Sequence, residues 1–514
     1  ICACLVGSEM CIRDRSICAS YPKANIWIIP SVESPQVYRN YAQTSKVHLE
    51  MARGEVEHIQ LVFPSKVNEE YRFTFDRYLK GIQISARELK KMNGYYDALV
   101  PFKNQLKCTD TLTAVWITVQ CPSRVPVGKY HQTIKIEGSK HFTIQLDYNV
   151  HHTTIPLKSS IPITVGVENR CMTEGLNDKE ADKERQRWVD FVLSYRMTPV
   201  FGTQITPERW QYEHSFSPWA WNDKRSIRLL NDRRYSCYML PFFTLSENEL
   251  ASLLCNIQKK GKLKESLFYI WDEPAYMEDY EQIKRKVNII RKYASDARIL
   301  TTFFCGPRNG PRKGDLYAVF DYLKHHIHVA TISLAPCKGN EEEVQHIRYK
   351  VPEGIDWWSY VCWQPGGNEP NFLLQMKGIQ QRAVMWRTWK NGSQGFLYWN
   401  CNIYHKRNPF TYITDMPHGD GILIYPGDIL GCKGPIASAR LERWRDGAEE
   451  MELLRLVEKN YSKEKADTLL NIVYSSPLSF IEKAHNIPFF RKELLDQLDK
   501  TIPIDYKLRI TDFI

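Results

Sequence analysis

Between about residues 24 and 155 the chain alternates apolar and polar positions with a period of two. The runs Asn25–Pro30, Glu57–Phe63, Thr113–Val119, His131–Glu137 and Phe142–Val150 are rich in Val, Ile and Thr, and Pro, Gly and Asn separate them. Alternation of this kind puts one set of side chains on each face of a strand. It predicts an antiparallel β-sandwich, with Val125–Gly128 as a turn between two of its strands. After Pro156 the rhythm changes. Short apolar runs at Ile161–Val167, Thr198–Thr203, Tyr235–Phe243, Leu267–Trp271, Arg298–Phe304, Val329–Ala335, Ile355–Trp363 and Gly395–Asn402 alternate with helical stretches. In the clearest of these, Tyr276, Tyr280, Ile283, Val287 and Ile290 keep the spacing of one buried helix face. Eight runs with seven helical intervals predict a (β/α)8 barrel of the TIM type; a doubly wound sheet would alternate in the same way, and the count of eight decides between them. From Ala437 to about Leu498 the sequence is helical and charged, as expected of helices that close or flank the barrel. The expected divisions are thus residues 17–156 for the sandwich, 157–435 for the barrel and 436–514 for the helical region.

Residues 1–16 stand apart. They have no periodicity and resemble a translated sequencing-adapter scar, so they are expected to be non-native and are kept out of the fold reading. The remaining composition narrows the function. The 69 Lys and Arg against 59 Asp and Glu give a net charge of +10, without a basic block that could track a phosphate backbone, so nucleic acid is not the expected partner. No apolar run reaches the ~20 residues of a membrane span. Four of the 14 Cys crowd the first 18 residues, and the others are scattered without ligand spacing. His325, His326 and His328 look like a metal tract but lie between a helical stretch and a strand, where a surface or helix-end role is expected. No glycine-rich phosphate loop follows a strand, so no organic cofactor is expected, and the lack of Cys/His ligand spacing gives no reason to expect a metal.

The candidate chemistry lies at Asp272-Glu273-Pro274, directly after the apolar run Leu267–Trp271. Two carboxylates thereby fall at the C-terminal end of a strand, the face on which barrel enzymes build their sites. Other adjacent acids, Glu69-Glu70, Glu341-Glu342-Glu343 and Glu449-Glu450, stand in polar surroundings, and most of them read as solvated faces. An apolar neighbourhood opposes ionisation, which a general acid working near neutrality needs. The plainer alternative is a helix N-terminus that places Asp and Glu against its dipole. Retaining glycosidases ordinarily hold two carboxylates ~5–5.5 Å apart across the sugar, and inverting ones hold them farther apart. Neighbouring acids better serve one face of a substrate whose own 2-acetamido oxygen is the nucleophile.

Several blocks in order carry a family resemblance: Ala52–Gln60, Val115–Val119 with Gly128–Tyr130, Tyr269–Pro274, Trp357–Tyr360, Gly395–Trp399, Gly419–Gly421 with Tyr425–Gly427, and Arg440–Glu450. Together they resemble glycoside hydrolase family 123, whose characterised members are β-N-acetylgalactosaminidases. The resemblance implies that Asp272 orients the acetamido group and that Glu273 is the general acid/base. It implies that Tyr360 hydrogen-bonds the acetamide, that Trp358 and Trp399 wall the sugar pocket, and that Asn402 and Asp420 contact hydroxyls. The implied partner is a glycan with a terminal N-acetylhexosamine, and the implied location is periplasmic or extracellular. Two alternatives stay open. One is a glycosidase in which Asp356, Glu369 or Asp420 opposes Glu273; the other is a carbohydrate-binding protein without turnover.

Overall fold

The computed structural model describes residues 26–76, 81–206, 211–411 and 416–501; the adapter-like residues 1–16 and the far end of the helical region lie outside them. The N-terminal strands form two five-stranded sheets. One orders Trp27–Pro30, Glu55–Pro64, Leu112–Cys121, Gln83–Met92 and Tyr95–Pro101; the other orders Lys46–Arg53, His141–Thr154, Gly128–Glu137, Glu70–Phe75 and Gln105–Lys107. Leu61, Phe63, Ile117 and Val119 from the first sheet meet Phe73, Ile134, Ile144 and Leu146 from the second in one buried cluster, so the two sheets pack face to face as a sandwich. One pair departs from the antiparallel expectation: Lys46–Arg53 runs parallel to His141–Thr154.

The second part is a nine-stranded, nearly closed, barrel-like sheet with helices in its connections. Each of the eight predicted runs supplies a parallel strand. In order across the sheet, these are Thr198–Thr206, Ile163–Glu168, Phe396–Tyr398, Asp356–Val361, Val329–Ser333, Arg298–Phe303, Ser266–Trp271 and Tyr238–Met239. A ninth strand, Gln211–Ser215, pairs antiparallel with Thr198–Thr206 and stands where a regular barrel would close. Backbone and side-chain bonds bridge the remaining gap: Phe216 N–H reaches Met239 C=O at 2.7 Å, and the Glu213 carboxylate accepts from Phe242 N at 2.8 Å and Thr244 N at 2.7 Å.

Side chains alternate across this sheet. Leu267, Leu300, Val329, Trp358, Tyr360 and Leu397 point to the interior, whereas Phe268, Ile270, Ile299, Trp357 and Phe396 point outward to the helices. The helix Ala439–Asn460 packs between the barrel helix Gly378–Lys390 and the sandwich. Its charge does not mark a solvated face, since Arg440, Glu442, Asp446, Glu449 and Glu450 are all buried. Glu449 accepts the Val56 backbone N–H at 3.0 Å, while Glu450 accepts from Arg382 at 2.6 Å and from Trp386 Nε1 at 2.7 Å. The reading of Glu449-Glu450 as solvated is therefore corrected. The helix is the polar seam between the two parts, and Arg440, Asp446 and Glu450 are matched by partners distant in sequence. Among the described residues, no helix is long and apolar enough to cross a membrane.

Candidate active site

The strand Ser266–Trp271 keeps an interior alternation through Leu267 and Tyr269, then slips register against its neighbour between Tyr269 and Trp271. A bulge at a strand end re-aims the residues that come after it. Glu273 then takes φ +44°, the left-handed region that side chains rarely occupy. In an extended strand, consecutive residues face opposite ways; the reversal at Glu273 lets Asp272 and Glu273 line one cleft together. The helix after them begins only at Met277 with Tyr276 as its N-cap, and Asp279 in its first turn reaches back, its Oδ2 accepting the Ala275 and Tyr276 N–H groups at 2.9 Å each. The side chain that serves that helix start is thus Asp279.

The cleft has a volume of about 810 Å³. Asp272 Oδ1 accepts from the Tyr269 hydroxyl and from Thr302 Oγ1, both at 2.7 Å. Thr302 Oγ1 also accepts the Glu273 backbone N–H at 2.9 Å, so one hydroxyl fixes both acids. The Tyr360 hydroxyl donates to Glu273 Oε1. His214 stacks on Tyr269, with centroids 4.3 Å apart and planes 10° apart. Both side chains open onto the cleft, yet protein packs around their carboxylates on most sides. Their charged forms are consequently poorly solvated. Burial first, and then the Asp272 charge, push Glu273 up to about 7; the Tyr360 donor and the Arg308 cation pull the other way. Burial also raises Asp272 above the usual carboxylate range, against the bonds from Thr302 and Tyr269. A second chamber of about 60 Å³ adjoins Asp272, lined by Val200, Tyr212, His214 and Leu397 among others.

The other candidates separate by depth. Tyr360 and Trp399 line the cleft. Trp358 shares the interior face with Tyr360 but sits a layer deeper, 1% exposed and packed over Gly395, where a Cβ would meet the indole at 2.2 Å. It is barrel core, not a sugar wall. Asn402 is also buried: its Oδ1 accepts Glu168 N–H at 2.7 Å and its Nδ2 donates to Glu168 C=O at 3.2 Å. Both ends of its amide are spent on backbone, away from any sugar hydroxyl. Asp420 lies behind Trp399, accepting from Trp399 Nε1 at 3.1 Å and the Tyr398 hydroxyl at 3.2 Å. It holds a wall of the cleft without lining it, and burial pushes it up to about 7. Neither of the other distant acids faces the cleft. Asp356 pairs with Arg298 at the opposite end of its strand, and Glu369 is buried against Arg387 Nη1 at 2.8 Å. His325, His326 and His328 do not converge: the first two offer backbone carbonyls to Arg291, and His328 Nδ1 accepts the Ile299 N–H at 3.2 Å.

Sequence reasoning passed over Tyr269 and Thr302. Strand parity was the available signal, since Tyr269 follows Leu267 and Thr302 follows Leu300 by two residues on the interior face.

The sequence model of the glycoside hydrolase 123 catalytic domain matches residues 183–457, more than half of the 514. The chain belongs to glycoside hydrolase family 123. In this family 123 hydrolase the matched region includes Asp272, Glu273, Tyr360 and Trp399. The fold is also similar to that of a family 123 glycoside hydrolase from Clostridium perfringens, studied for glycolipid glycan hydrolysis, with a TM-score of 0.64, 13% identity and coverage of 95% of this chain and 100% of that one. An FMN-binding β-glucuronidase from Faecalibacterium prausnitzii L2-6 aligns at a TM-score of only 0.31, with 10% identity over 78% of this chain and 59% of that one, too low to bear on the site. No curated protein matches the sequence significantly.

Proposed function

We propose that this glycoside hydrolase is an exo-acting, retaining β-N-acetylgalactosaminidase in which the substrate's 2-acetamido group is the nucleophile. The observation that carries the reading is the adjacency of Asp272 and Glu273 in one cleft, while Asp356, Glu369 and Asp420 all lie outside it. Both bonds from Tyr269 and Thr302 fall on Asp272 Oδ1, which leaves Oδ2 for the acetamido N–H. The small chamber beside Asp272 suits the acetyl methyl.

In the first step the acetamido oxygen bonds to the anomeric carbon as the glycosidic C–O bond breaks, and Glu273 gives its proton to the leaving oxygen. Asp272, ionised, stabilises the positive charge of the resulting oxazolinium. In the second step water attacks the anomeric carbon, Glu273 takes its proton, and the bond between the anomeric carbon and the acetamido oxygen breaks, restoring the acetamide. Two inversions leave the anomeric configuration retained, and one water is consumed. Glu273 must begin protonated, which its position near neutrality allows. A glycan substrate of this class is met mainly outside the cytoplasm, which supports a periplasmic or extracellular location for the proposed enzyme.

Hydrolysis of aryl β-N-acetylgalactosaminide, β-N-acetylglucosaminide and β-galactoside tests the reading. Strong preference for the N-acetylated sugars, and inhibition by the thiazoline analogue of the oxazolinium, are expected. Galactoside cleavage at an equal rate would remove the need for an acetamido nucleophile and overturn it.

A further inference from the structure

A second cavity, of about 470 Å³, lies where the sandwich, the barrel and the C-terminal helical region meet, and it shares no lining residue with the catalytic cleft. Arg443, on the buried helix Ala439–Asn460, is 6% exposed and lines it. Its Nε donates to Ser31 C=O and its Nη1 to Gln381 Oε1, both at 2.8 Å, and its guanidinium lies 5.6 Å from the Trp116 ring centre. Among the described residues Nη2 has no hydrogen-bond partner, and no carboxylate pairs with the guanidinium. The other buried arginines of this helix are paired, Arg440 with Asp97 at 2.9 Å and Arg445 with Glu442. The acids around Arg443 are engaged elsewhere: Asp97 by Arg440, Asp446 by Arg382 at 3.0 Å, and Glu33 by the Tyr41 hydroxyl. Burial accordingly draws Arg443 down to about 10, and those three acids offset it only from a distance. The helix Gly378–Lys390 starts at the same cavity, which Gly378 and Ile379 line. First-turn N–H groups have no intrahelical acceptor and carry the positive end of the helix dipole. A Cβ at Gly378 would meet Arg443 Nε at 2.6 Å and the Val32 carbonyl oxygen at 2.4 Å, so glycine is what lets the guanidinium lie against the helix end. Tyr41 and Tyr95 also line the cavity, and Tyr95 is 45% exposed.

We propose that this cavity is a second binding site, separate from the catalytic cleft, for a carboxylate-bearing sugar. Its carboxylate completes the Arg443 guanidinium at Nη2 and draws on the first-turn N–H groups at Gly378 and Ile379. Its ring takes the phenol faces of Tyr41 and Tyr95, which suit the C–H face of a pyranose. A guanidinium held out of water without a counter-charge is costly, so the site selects an acid over a neutral sugar. The aromatic wall selects a ring over a bare anion. Lys377 and His485 also line the cavity, and Glu482 stands 3.7 Å from Lys377, so the acid at the rim already has a cation of its own. The site would hold a glycan at a point away from the bond being cleaved. It does not depend on which sugar the catalytic cleft takes.

The test is equilibrium titration of the full chain with glucuronate and with N-acetylneuraminate, using glucose as the neutral ring and acetate as the bare carboxylate. At least one sugar acid should bind saturably, and about tenfold or more tightly than either control. Arg443→Gln should weaken that binding by about tenfold or more. Arg443 is also part of the buried seam, so a second variant stands beside it. Tyr95 is exposed, and Tyr95→Ala should keep the wild-type melting temperature and rate of aryl glycoside hydrolysis while binding the acid about threefold or more weakly. Glu273→Gln, in the catalytic cleft, should bind the acid as wild type does. Failure of both acids to bind overturns the proposal, and so does affinity unchanged in Tyr95→Ala. Affinity lost in Glu273→Gln would put the acid in the catalytic cleft and overturn it as well. Acetate bound as tightly as the sugar acids would leave an anion site only, and the sugar would be struck out.

Discussion

The Tyr360 hydroxyl ends on Glu273 Oε1, and this bond favours the ionised acid because a carboxylate accepts more strongly than a carboxylic acid. The Asp272 charge acts in the other direction and helps hold Glu273 at about 7. Catalysis as proposed needs Glu273 protonated and Asp272 ionised. The kcat/KM profile should therefore be bell-shaped and fall on the alkaline side near pH 7, its two limbs belonging to the coupled pair. Two variants should move the alkaline limb in opposite directions. Tyr360→Phe removes the donor to the charged form, so the limb should rise by about half a unit to one unit. Asp272→Asn removes the repelling charge, so the limb should fall, with activity lower by about 10²–10³ from the lost acetamide orientation. A Tyr360→Phe profile with its limb unmoved would show that Tyr360 does not bear on Glu273. Glu273→Gln should lose about 10³-fold on alkyl glycosides and far less on dinitrophenyl ones, whose leaving oxygen needs no proton.

Among the secondary-structure elements, the helix Ala439–Asn460 departs furthest from its sequence appearance. A 22-residue stretch crowded with Arg and Glu would ordinarily face water, but this one is buried for most of its length. Arg382 on the neighbouring helix donates to Glu450 at 2.6 Å and to Asp446 at 3.0 Å, and Arg491 reaches Glu55 at 2.8 Å and Glu57 at 3.0 Å. Removing one member strands the others as unpaired buried charges. Arg382→Met should cost on the order of 3–5 kcal/mol, read as a lower urea midpoint at neutral pH. The pairing was not legible in the sequence, because a charge is matched only in space: Glu449 and Val56 are 393 residues apart. The strands were legible because β-branched alternation marks them directly. Even so, Gln211–Ser215 passed unseen, since its residues are polar and its one buried side chain, Glu213, is satisfied by backbone N–H groups. At the site, Asp272 and Glu273 could be read from an apolar strand that stops abruptly. Trp358 shows the limit: parity gives the face a residue occupies, whereas the number of layers above it decides whether it touches substrate.

For the whole molecule, the sandwich and the C-terminal helix are joined near their ends by His151. Its Nε2 meets Glu50 Oε2 at 2.6 Å and its Nδ1 meets Asp499 Oδ2 at 2.9 Å. With a carboxylate on each ring nitrogen, the imidazole serves both contacts only as the doubly protonated cation. Burial works against that charge, but the bonds from Asp499 and Glu50 outweigh it and raise His151 to about 9. Against burial, bonds from His151, His48 and Asn149 hold Glu50 down at about 2; the His151 share of this is the other side of one interaction and is not counted again. A group raised on folding lends stability that is complete below its unfolded value of 6.5 and is lost as pH climbs through the folded value of about 9. That change amounts to about 3 kcal/mol at most. The wild-type melting temperature should therefore drop between about pH 6.5 and pH 9 by more than that of His151→Gln, which keeps a polar side chain but has no titrating group. The variant should be the less stable of the two at pH 6, and the gap should narrow towards pH 10. Equal slopes for the two proteins would mean that the imidazolium does not tie the sandwich to the helix. Glu449, raised by burial to about 8, titrates within the same window and also favours the acid side, so the difference between the two melting curves, not the wild-type curve alone, isolates His151.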